Sequence, residues 1–95
     1  MKAYKEAKNI KELCQLLGVP PSEAPKIKMR VDLVGAIQKQ VARKGYTHQQ
    51  ASERAGVGRT VITAIMNSNL EKITTDRLID IAQALGLKVR LEIAS

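Results

Sequence analysis

Arg59, Thr60 and Thr63 sit at helical spacing, three and four residues apart, and all three can hydrogen-bond the edges of bases. An arginine fork pairs bidentately with guanine, and a threonine hydroxyl bonds a base or touches a thymine methyl. The plainer reading makes Arg59 a solvated side chain, Thr60 a helix-start residue and Thr63 a half-buried one. His48 and Gln49, some ten residues earlier, are of types that meet phosphate oxygens, as does a helix N-terminus. Asn67 can bond a phosphate or only cap a helix. Lys39, Arg43 and Lys44 read as a solvated helix face that adds to nonspecific attraction of a polyanion.

Other chemistries find little support. His48 is the single histidine and Cys14 the single cysteine, so neither an intrachain disulfide nor a Cys/His zinc pattern can be assembled. No nucleophile, base and orienting acid come together, so no enzyme and no cofactor are expected. Tyr4 and Tyr46 are the only aromatics, too few to stack the bases of a single strand. The net charge is +7, which favours nucleic acid or an anionic surface. Residues 1–30 hold seven basic and three acidic side chains, residues 31–70 five and two, and residues 71–95 four of each. The positive field therefore belongs to the first seventy residues. No apolar run is long enough to span a membrane, and Met1 to Asn9 lacks a signal-peptide core, so the cytoplasm is the expected location.

The elements that must position these side chains read as helices. Ile10, Leu13, Leu16 and Leu17 follow helical spacing between Asn9 as N-cap and Gly18 as C-cap. Pro20, Pro21 and Pro25 break the chain after it, and Lys26 to Met29 reads either as a short strand or as the start of the next helix. A second helix is predicted from Val31 to Lys44, with Leu33, Val34, Ile37 and Val41 on its apolar face and Gly45 ending it. Thr47 caps a third, His48 to Ala55, with Gln50 as capping-box partner. Gly56 turns the chain into a fourth, Arg59 to Met66. Thr75 caps a fifth that carries Leu78, Ile79, Ile81, Ala82 and Leu85 and closes at Gly86. Leu87, Val89, Leu91 and Ile93 then alternate with Lys88, Arg90 and Glu92, the pattern of a half-buried strand. The expectation is an all-α fold of five helices with a C-terminal β-strand, organised as an N-terminal arm over residues 1–30 and a DNA-binding domain over 31–95.

Two short helices around Gly56, with the small Ala51 where they cross and Val57, Ile62 and Ile65 in the angle between them, leave the second helix protruding. This stretch resembles the Cro and phage-repressor type of helix-turn-helix regulators, also called XRE-like, at Thr47, Ala51, Gly56, Val57, Ile62, Thr63, Ile65 and Asn67. The span from about residue 20 to 93 is similar to a subgroup that includes HigA-type antitoxins, through Pro21-Ser22-Glu23-Ala24, Ile27 to Arg30, Leu78 to Gly86 and the terminal residues. His48 stands where the family usually has glutamine, which braces a phosphate or a recognition-helix side chain. Gly58 stands where serine usually caps the recognition helix.

The resemblance implies a duplex-DNA-binding repressor whose recognition helix presents Arg59, Thr60 and Thr63 to bases. A lone strand must pair. Leu87, Val89, Leu91 and Ile93 are expected to pair with the same strand of a second chain, in preference to Ile27–Met29 of their own. A homodimer on a pseudo-palindromic operator follows from that pairing. The alternative is an antitoxin that neutralises a ribonuclease toxin, with Tyr4, Ile10, Leu13, Leu16 and Leu17 as the toxin-binding face. The +4 charge of residues 1–30 argues against a basic toxin there. A scaffold without DNA binding fits the overall charge least.

Overall fold

Pro25 stands inside the first turn of a helix, not in front of one. The computed structural model describes residues 18, 21–90 and 93. Within them a short 3-10 turn, Pro21–Glu23, runs directly into α1, Ala24–Lys44. The sequence placed this start at Val31. Proline read as a breaker, but the first turn of a helix has no use for the missing N–H, and the fixed φ suits it. Lys26 to Met29 is therefore helical, which removes the alternative, intrachain partner for a C-terminal strand. The amphipathic helix expected at Ile10 to Leu17 lies outside the described residues.

Three further helices follow: α2, His48–Ala55; α3, Arg59–Met66; and α4, Thr75–Ala84. Gly45 ends α1 in the left-handed conformation, and its N–H returns to the Val41 and Ala42 carbonyls. Thr47 and Gln50 form a complete capping box at α2, each side chain bonding the other's backbone N–H. At α4 the cap is Thr74, whose hydroxyl accepts from the Arg77 N–H; Thr75 is the first helical residue.

The core is aliphatic. Val34, Ile37 and Val41 of α1 pack with Ala51 of α2, Ile62 and Ile65 of α3, and Leu78, Ile81, Ala82 and Leu85 in and after α4. Leu70 and Ile73 close it from the loop between α3 and α4. Ala51 is fully buried, its methyl group enclosed in this core.

The sequence reading fails at the C-terminus. The fold is all-α, but the described residues contain four α-helices and no strand. Leu87 and Val89 lie partly buried against the helical core, Ile93 is exposed, and Leu91 lies outside the described residues. Alternation records only that one face is apolar. Here helices cover part of that face with no ladder of backbone bonds. The strand-mediated two-fold pairing loses its basis with the strand.

Gly56 links α2 to α3 at φ 69°, where a methyl group would meet nothing within 4 Å. The cost of an L side chain there is therefore backbone strain alone, about 1–2 kcal/mol. Gly56→Ala is expected to lower the melting temperature by roughly 4–8 °C per kcal/mol in a domain this small. An unchanged melting temperature would mean that the turn relaxes away from its left-handed form.

Candidate nucleic-acid interface

Gly58 caps α3 through backbone geometry alone and starts the helix with Arg59 and Thr60, both exposed. The opposite face of α3 is anchored by the fully buried Ile62 and Ile65. An eight-residue helix is thus held along one side while its N-terminal turn stays in solvent. Thr63 lies one turn further along the same side as Arg59 and Thr60 and is half-buried.

His48 opens α2 and places its Nδ1 2.9 Å from the Thr63 hydroxyl. Two residues assigned separately from the sequence, one to phosphate and one to base, are in direct contact. Gln49 is exposed and donates to Glu53 within its own helix at 3.2 Å. Asn67 is the exposed C-cap of α3 and lies at the opposite end of that helix from Arg59. Lys39 and Lys44 are exposed on α1. Arg43 donates to Gln40 at 2.8 Å, and Gln40 in turn donates to the Leu85 carbonyl at 2.9 Å, so Arg43 stands beside the C-terminal end of α4. The residues proposed to meet a toxin, Tyr4, Ile10, Leu13, Leu16 and Leu17, lie outside the described residues.

Three α1 side chains that the sequence reading did not single out hold this arrangement in place. The Arg30 guanidinium donates to the carbonyls of Leu70 and Ile73, at 2.9 and 2.6 Å, and to the Thr75 hydroxyl at 3.1 Å. Gln38 donates to the Ile65 carbonyl at 2.8 Å and to the Ser68 hydroxyl at 3.1 Å, at the C-terminal end of α3. Gln40 serves the end of α4 in the same way. The last carbonyls of a helix have no partner within it, and these amides supply one. A signal was present in the sequence: Arg30, Val34, Ile37 and Val41 share a helix face, and Gln38 and Gln40 flank it. A polar group among core residues has to be hydrogen-bonded.

Two further cations also went unnoticed. Lys72 and Arg77 border the same open depression as Thr60 on the flank of α3. Both stand on segments that follow α3 in sequence, where Glu71, Asp76 and Asp80 offset them in the charge of residues 71–95. The Arg54 guanidinium of α2 lies over the Tyr46 ring, 5.6 Å from its centroid. No helix of the described residues is long and apolar enough to cross a membrane.

No curated protein and no solved structure matches the chain significantly. Residues 10–94 match a family model described as a helix-turn-helix domain, which covers nearly all of the sequence and agrees with the α2–turn–α3 geometry. An α2 held by a capping box, a left-handed glycine turn and an α3 buried along one side together make a helix-turn-helix, and the chain belongs to the helix-turn-helix domain family.

Proposed function

We propose that this protein is a sequence-specific duplex-DNA-binding regulator of transcription that acts as a repressor by occupying its site. One observation carries the reading: α3 is held by its buried face and its C-terminal end, while Arg59 and Thr60 at its N-terminus are exposed and their side chains make no hydrogen bond to other described residues. Side chains so placed are available to base edges in a major groove. The net charge of +7 supplies the attraction that brings the phosphates close. In this reading Arg59, Thr60 and Thr63 meet bases, and Gln49 and the exposed lysines of α1 meet the backbone.

Selection from a randomised duplex pool tests the function, because a specific binder enriches a defined motif and an architectural domain does not. Against that motif, Arg59→Ala is expected to weaken binding by roughly 1–3 kcal/mol while random duplex weakens much less. Equal losses on both duplexes would make Arg59 a backbone contact, and failure to enrich any motif would remove the claim of specificity.

A further inference from the structure

The contact between His48 and Thr63 leaves the recognition helix with a choice. A neutral imidazole carries its proton on one nitrogen, and the other nitrogen accepts. With the proton on Nδ1, His48 donates to the Thr63 oxygen and the threonine hydroxyl is free to donate outward. With the proton on Nε2, Nδ1 takes the threonine hydroxyl proton, and the oxygen can then only accept from outside. We infer that His48 is a positioning residue for base selection, its tautomer deciding whether Thr63 offers the major groove a donor or an acceptor.

The geometry supports a role of this kind. The two groups are 2.9 Å apart, both are half-buried, and they come from different helices, so the bond fixes the Thr63 rotamer relative to α2. Arg59 lies one turn before Thr63 on the same side of α3, and Thr60 lies beside it, so Thr63 shares the surface presented to DNA. A glutamine at position 48 could also reach a neighbouring hydroxyl. Its amide carries a donor and an acceptor together, however, and either can be turned inward. A histidine commits to one sense for as long as its proton stays on one nitrogen.

The base edges give the two senses different consequences. A hydroxyl donor matches guanine O6, purine N7 or thymine O4, and a hydroxyl acceptor matches the amino groups of adenine or cytosine. The inference rests on the proposal that α3 reads duplex DNA, and the experiment separates the two. Long-range proton–nitrogen correlation spectra of the free protein identify which His48 nitrogen bears the proton. Motif selection on the wild type, His48→Gln, Thr63→Val and the double variant reports base preference position by position.

One operator position is expected to lose its preference, by about fivefold, in Thr63→Val. His48→Gln is expected to weaken the same position and to add nothing once Thr63 is valine. The base preferred by the wild type should present an acceptor if Nδ1 carries the proton and an amino donor if Nε2 does. The opposite pairing of tautomer and base would overturn the inference, as would a His48→Gln effect spread evenly over all sequences. His48→Gln retains the Thr47 capping box, so a folded variant is available for the comparison. If the wild type selects no motif, the reading of α3 falls first and this inference with it.

Discussion

Replacing Arg30 with alanine is expected to destabilise the fold by about 2–4 kcal/mol. One guanidinium bonds the carbonyls of Leu70 and Ile73 and the hydroxyl of Thr75, joining α1 to the loop that follows α3 and to the start of α4. Each bond is charge-assisted, a class worth more than a neutral bond, and truncation takes the guanidinium donor from both carbonyls at a part-buried site, leaving that of Leu70 with the Ile73 N–H. Domains of this size have only about 5–15 kcal/mol in total, so the loss is a large fraction of what keeps the chain folded. Arg30→Lys should recover little, because an ammonium on a flexible stem cannot span three acceptors as a planar fork does. Urea unfolding followed by circular dichroism gives the comparison, as a fall in midpoint at unchanged slope. A midpoint within experimental scatter of the wild type would mean that water replaces the guanidinium at no cost.

Binding to duplex DNA is expected to fall by roughly 10²-fold between 50 and 200 mM salt. Each phosphate neutralised releases counterions and adds about −0.9 to the slope of log affinity against log salt. The exposed cations Lys39, Lys44, Lys72 and Arg77 are candidates for such contacts. If about four of them meet phosphates, the slope is between roughly −3 and −4. Fluorescence anisotropy with a labelled duplex measures it, and the Lys39→Ala and Lys44→Ala variants report whether α1 contributes about one unit of slope each. A flat salt response would remove DNA from the proposed function. A steep response unchanged in both variants would move the contacts to the flank of α3 where Lys72 and Arg77 stand.

The parts of the fold that were legible in sequence are those governed by local chemistry. Thr47 with Gln50, the glycines at 45 and 56, and the apolar spacing of α1, α3 and α4 each state their conformation within a few residues. Thr75 reads as the cap of α4 from the sequence, but the turn places its neighbour Thr74 there and leaves Thr75 to receive Arg30. Pro25 was misread because a proline's effect depends on its place in the helix, which local spacing does not give. The terminal strand was misread because alternation speaks of one apolar face and not of what covers it. The pairing of His48 with Thr63, and of Arg30 with residues forty or more positions away, is tertiary and has no local mark. The candidate reading surface was visible as residue types, while the bond within it was not.

Gln38 grips the end of α3 at Ile65 and Ser68, and Ile62 and Ile65 root it in the core, while the side chains of Arg59 and Thr60 bond no other described residue. Attachment and exposure are thus divided between the two ends of one short helix. Substitution at positions 59 and 60 is expected to cost the fold little, so under the proposed function new targets are reachable through single changes without passing through an unfolded intermediate variant. Position 63 is not free in this way, because its hydroxyl is tied to His48, and retargeting there requires a matched change on α2. A diversified library for new operator sequences would accordingly treat 59 and 60 as independent sites and 48 and 63 as one.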